Sequence, residues 1–174
     1  MAMDAGVAAL LGAAVGSFST LGAAVVNGRT QARTQHAQWR RQYRRDAYAA
    51  YLGALHDRDM AMDAILKALQ AASPDLAELD RTVQHFITRA RDVHRAAEVV
   101  IIEGPPSIVE AIDRIAEASS GLSEVMQQMV KAARAADTSE RMEHSATASV
   151  RERRLYRAVS EFRVQARGVL GNAD

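Results

Sequence analysis

Cysteine is absent from the 174 residues, which excludes a disulfide framework and any thiolate metal site. The absence is compatible with a reducing cytoplasm. Proline occurs three times, at Pro74, Pro105 and Pro106, so long helices can run between few stops. Aromatic residues make up only 5% of the chain. Lysine is confined to Lys67 and Lys131, and every other basic residue is arginine. Together with abundant alanine, that usage is what a high-GC genome produces, so arginine over lysine at one site says little about function. No stretch has the alternation of a strand, and apolar residues recur at helical spacing throughout. The expected class is all-α.

Charge is missing from the beginning of the chain. Ala5–Val26 (AGVAALLGAAVGSFSTLGAAVV) runs 22 residues without a charged side chain. As a helix it would be about 33 Å long, matching a hydrocarbon core of roughly 30 Å. Ala8, Gly12, Gly16, Thr20 and Ala24 recur every four residues and share a face, with Gly12 and Gly16 forming a GxxxG. Small residues at that spacing let two membrane helices approach closely, so Gly12, Gly16 and Thr20 are the candidate helix-packing residues. Leu10, Leu11, Val15, Phe18, Leu21 and Val25 suit lipid on the other side. A cleaved signal peptide calls for positive charge ahead of the apolar run, whereas only Asp4 precedes it. A surface-lying helix needs a polar face, and none exists. A buried helix of a soluble bundle is the competing reading. The expectation is a membrane span.

Acid is missing from the next stretch. Arg29, Arg33, Arg40, Arg41, Arg44 and Arg45 follow the apolar run with no carboxylate before Asp46. The formal net charge of +1 therefore hides a basic block of six arginines ahead of a remainder with 16 basic and 20 acidic residues. A globally basic nucleic-acid binder would not be built this way, and although the arginines could grip phosphates of lipid or nucleic acid, lipid is the economical partner beside an anchor. A basic block beside a span suits anionic lipid headgroups, and by the positive-inside rule it places the bulk of the chain in the cytoplasm, at the plasma membrane. Trp39 and Tyr43 stand four apart within the block. They suit headgroup depth, or they open a bundle core; Trp39 lies well past the apolar run, which favours the core.

The expected domains are an anchor over 1–28, a basic juxtamembrane helix over 29–45 and a cytoplasmic helical bundle over 46–174. The first helix is expected to continue to about Ala72, with an apolar face of Tyr48, Tyr51, Leu52, Leu55, Met62, Ile65, Leu66 and Leu69. Arg58 and Asp59 fall near the middle of that stripe, so packing there should be polar or incomplete. Ser73-Pro74 reads as N-cap and first residue of a second helix, with a heptad seam from Leu76 through Leu79, Val83, Phe86, Ala90, Val93 and Ala97 to Val100. Glu103-Gly104-Pro105-Pro106 stops it. Ser107 to Glu110 reads as a capping box for a third helix, with its seam from Ile108 to Ala133. Asp137-Thr138-Ser139 breaks the chain again, and Glu140 completes an Asp-x-x-Glu start. The fourth helix then carries Val150, Leu155, Val159, Phe162, Ala166 and Val169, with Arg141–Ser149 read as helix. Short turns make this an antiparallel four-helix (up-down-up-down) bundle continuing from the span.

Catalytic and metal patterns are also lacking. The residues three before His36, His56, His85, His94 and His144 are Arg33, Gly53, Thr82, Arg91 and Arg141. A di-iron bundle needs glutamate there. Asp59 and Asp63 share a face beside His56 and Asp57, but calcium wants several more oxygens, and a solvated face fits better. His85 with Asp92, and His94 with Glu98, are surface spacings. Met60, Met62, Met126, Met129 and Met142 read as core gap-fillers. With no strand there is no phosphate loop or nucleophile elbow. Neither catalysis nor a cofactor is expected.

The Ala/Gly-rich run, RRQYRRDAYAAYL at Arg40–Leu52 and EGPPSIVEAI at Glu103–Ile112 resemble short uncharacterised membrane-anchored helical proteins of high-GC actinobacteria. The resemblance covers most of the length and implies location and layout, without an activity or site residue. The expected function is a membrane-anchored binding or scaffolding module, self-associating, with a protein partner the sequence does not identify. The alternatives are a holin-like or pore-forming effector, and a soluble bundle with Ala5–Val26 in its core.

Overall fold

The computed structural model is all-α, with four helices: α1, Asp4–Gln70; α2, Leu76–Glu103; α3, Pro106–Arg134; and α4, Thr138–Gly171. It describes the backbone of 4–71 and 73–171 and the side chains of 35–36, 38–71 and 73–171; the latter are the described residues below. The chain divides into two compact units, Met1–Gln42 and Tyr43–Asp174. In the first unit α1 is helical from Asp4 onward. The second unit is the helical bundle.

Local chemistry sets the helix boundaries, and two starts differ from expectation. The N-cap of α2 is Asp75, not Ser73: its carboxylate accepts from the backbone N–H groups of Ala77 (2.9 Å) and Glu78 (3.2 Å). A carboxylate satisfies orphan N–H groups and meets the positive helix end, so Asp75 outcompetes a serine two residues earlier. Likewise α3 starts at Pro106 after Pro105, with no side-chain cap, so Ser107–Glu110 forms no capping box. Proline at the first helical position has no N–H to satisfy and a preset φ, which makes a cap dispensable. The stop before it is tight, since a Cβ on Gly104 would lie 2.7 Å from the Val100 carbonyl oxygen.

The α3–α4 link is a hairpin of three residues. Asp137 N–H donates to the Ala132 carbonyl (3.0 Å) and Ala136 N–H to that of Ala133 (3.2 Å), which is a Schellman closure. Its left-handed position, usually glycine, holds Ala136 at φ 56°. Asp137 then caps α4, as its side chain accepts from Glu140 N–H at 2.9 Å. Because the left-handed region costs an L-residue about 1–2 kcal/mol and glycine is looser when unfolded, Ala136→Gly is expected to stabilise the bundle by about 0.5–1 kcal/mol. Chemical denaturation of the two full-length chains measures it; a loss of stability would contradict the Schellman assignment. Arg141–Ser149 is helical, with Ala148 buried.

Contacts between helices fix their directions. Arg114 meets Glu161 (3.5 Å) and Arg154 meets Glu117 (2.6 Å), so α3 and α4 run antiparallel. Arg134 reaches Asp80 (2.6 Å), joining the end of α3 to the start of α2. Tyr51 of α1 packs on Phe162, while further along α1 Asp59 and Asp63 act on Tyr156, so α1 and α4 also oppose. Arg44 reaches Glu103 and Arg58 reaches Ser119. Exposed ion pairs contribute about 0–1 kcal/mol each, so the three outer pairs report register more than they stabilise it.

The core is one cluster. Tyr48, Tyr51, Leu55, Met62, Ile65 and Leu69 of α1 meet Ile108, Ile112, Ile115, Leu122, Met126 and Met129 of α3 and Leu155, Val159 and Phe162 of α4. The helix α2 buries only Leu79, Ala97 and Val100 fully. Its first seam position, Leu76, is exposed, because α3 ends at Arg134, whose partner Asp80 lies one turn further into α2. Val150 is exposed as well; five residues before Leu155 it falls on a different face. Of the methionines, Met62, Met126 and Met129 fill the core, whereas Met60 and Met142 face solvent.

Burial perturbs the core phenols. Tyr51 is pushed up to about 12 by burial, against the opposing effect of the Arg58 charge. An unfolded tyrosine ionises near 10. Between those values the unfolded chain gives up a proton that the folded chain keeps. The associated stability is therefore fully present below about pH 10 and lost as pH rises towards about 12, about 2–3 kcal/mol in all. Tyrosinate absorbance followed beside helicity should show one phenol ionising only as the helices melt. Ionisation of every tyrosine with helicity intact would contradict it.

Candidate functional site

The basic segment lies on α1 and straddles the two units in sequence. In the first unit Trp39 is 64% exposed, Arg40 is exposed and Arg41 half-buried. In the second, Tyr43 and Arg45 are exposed and Arg44 is half-buried. The expectation that Trp39 and Tyr43 open the bundle core is overturned. Arg44 sits level with Glu103, the last residue of α2, so the core of the second unit ends there and begins inward, at Ala47 and Tyr48.

Arg44 has a structural task. Its Nε donates to the Glu103 carbonyl oxygen at 2.8 Å, covering one of the carbonyls that α2 leaves unsatisfied at its negative end. One turn on, burial pushes the Tyr48 phenol up while the Arg44 charge pulls it down. Sequence reading assigned Arg44 to lipid and missed the cap. The available signal was spacing, since Arg44 precedes Tyr48, Tyr51 and Leu55 in the same run of threes and fours. Arg40 and Arg45 remain as exposed guanidinium groups, whose planar forks match phosphate and carboxylate oxygens.

Gly12, Gly16, Thr20, Arg29 and Arg33 lie outside the described residues. So does Ala5–Val26; among the described residues no helix is long and apolar enough to cross a membrane. The polar cluster on α1 divides: His56, Asp57 and Asp63 are exposed, while Asp59 turns to Arg58 at 3.0 Å. His94 pairs with Glu98 (3.7 Å), and His85 is exposed. Among the described residues no group of three or more His, Cys, Asp or Glu is placed to hold a metal ion.

An exposed guanidinium can bind an oxyanion, and the first unit offers one at Arg40 and the second one at Arg45. No protein-family model, curated protein or solved structure matches this chain.

Proposed function

We propose that the chain is a single-pass membrane protein of the plasma membrane whose helical bundle is a cytoplasmic protein-binding or scaffolding module. In this reading Ala5–Val26 spans the bilayer, and the arginines after it rest on anionic headgroups. Gly12, Gly16 and Thr20 pack the spans of two copies together. The role is binding, not catalysis.

The observation that carries the reading is the exposure of Trp39, 64%, among arginines. A large, mostly exposed ring with one polar N–H, close in sequence to Arg40, Tyr43 and Arg45, suits headgroup depth. The basic flank and the uncharged run before it supply the remaining support.

Trp39 is the single tryptophan, which makes the test direct. In vesicles containing phosphatidylserine, its emission should be blue-shifted and quenched by lipid carrying a headgroup-level quencher. Replacing Arg40 and Arg45 with glutamine should reduce the effect of anionic lipid. Water-like emission quenched by iodide in every vesicle would overturn the lipid-facing role.

A further inference from the structure

The sparse burial of α2 leaves a cleft between it and α3, with α1 as the floor. The cleft has a volume of about 480 Å³, within the range of small-molecule sites. Its walls are apolar, with Val93, Ala97 and Ile101 on α2 and Ile112 and Ile115 on α3, and its floor holds Tyr51 and Arg58. Ser119, Ser120 and Ser123 line the same space.

Arg58 is the unusual member. It is 3% exposed and stands in an otherwise apolar seam. Its Nη1 donates to Ser119 Oγ at 2.7 Å and its Nη2 to Asp59 at 3.0 Å. Nε is buried with no acceptor among the described residues. A guanidinium carries five N–H donors, and withdrawing one from water is costly unless acceptors replace the lost hydration. Among the described residues Asp59 is its one carboxylate partner, itself 16% exposed. Cleft, apolar walls and an under-satisfied cation on the floor coincide.

We propose that the α2–α3 cleft binds an amphipathic carboxylate, such as a medium-chain acyl carboxylate, with the head at Arg58 and Ser119 and the apolar body against the α2 and α3 walls. A carboxylate accepts in the geometry a guanidinium fork presents. Glu98 and Asp113 also line the cleft, but both are exposed. They discourage a second negative charge on the ligand body, which selects a monoanion with an uncharged tail. The site does not depend on where the chain resides.

The test uses octanoate labelled at its carboxyl carbon, titrated into the full chain in discs of zwitterionic lipid, with empty discs as reference. Saturable binding of one octanoate per chain is expected, with Kd at or below about 1 mM. Arg58→Met keeps the side chain's length and removes the charge; it should weaken octanoate at least tenfold and leave 1-octanol unchanged. Ala90→Phe fills the cleft from α2 and should remove both. Octanoate that does not saturate, or that binds Arg58→Met as well as the parent chain, overturns the proposal. So does undiminished binding to Ala90→Phe, which also decides the matter should Arg58→Met fail to fold.

Discussion

Replacing Phe162 with alanine is expected to destabilise the bundle by about 3–5 kcal/mol. The side chain is fully buried where α4 faces α1, with its ring edge-on to Tyr51 (5.2 Å, 70°) and Tyr48 (5.9 Å, 72°). Truncation removes transfer energy, leaves a cavity between two helices and undoes two aromatic contacts of about 0.5–1.5 kcal/mol each. Val164, two residues on and 62% exposed, is the control. Val164→Ala should shift stability by no more than about 0.5 kcal/mol. Urea denaturation of the full chain in mild detergent measures both. A cost below about 1 kcal/mol at Phe162 would mean that α4 does not dock on α1 as described.

The second large effect is an asymmetry between two adjacent residues. Asp59→Asn should destabilise by about 2–4 kcal/mol, because it leaves the buried Arg58 charge without its carboxylate. Arg58→Met should be neutral or stabilising by about 1–3 kcal/mol, since a long apolar side chain then completes the seam from Leu55 to Met62 and the desolvation cost disappears. Thermal unfolding of both variants beside the parent decides it. Equal losses at the two positions would mean that Arg58 acts mainly as a stabilising hydrogen-bond hub.

The same pair shows how much of the molecule was legible beforehand. Spacing placed Tyr48, Tyr51, Leu55, Met62, Ile65 and Leu69 on one face of α1 and marked Arg58 as an interruption, because a period of 3.5 is read from sequence alone. The all-α class and the stops at Gly104 and Asp137 were equally legible. What local pattern does not contain is where a partner helix ends. Leu76 continues a seam in sequence but has no α3 opposite it, and Trp39 and Tyr43 share a face but lie outside the core. Cap choice was misread where two candidates stood close together, at Ser73 and Asp75 and at Pro106 and Ser107. Alanine at the left-handed turn position left no glycine to mark the Schellman closure. Arg44 and the cleft beside Arg58 depend on contacts some sixty residues apart, which no local window holds.

The proposed role requires that the uncharged N-terminal run hold the bundle at a membrane. It is tested most directly by fractionating the full chain, and one lacking residues 1–28, with carbonate and then detergent. The full chain is expected to stay in the membrane fraction through carbonate and to be released only by detergent, while the shortened chain is soluble and helical. Release of both chains without detergent would contradict it and would make Ala5–Val26 a helix buried against protein.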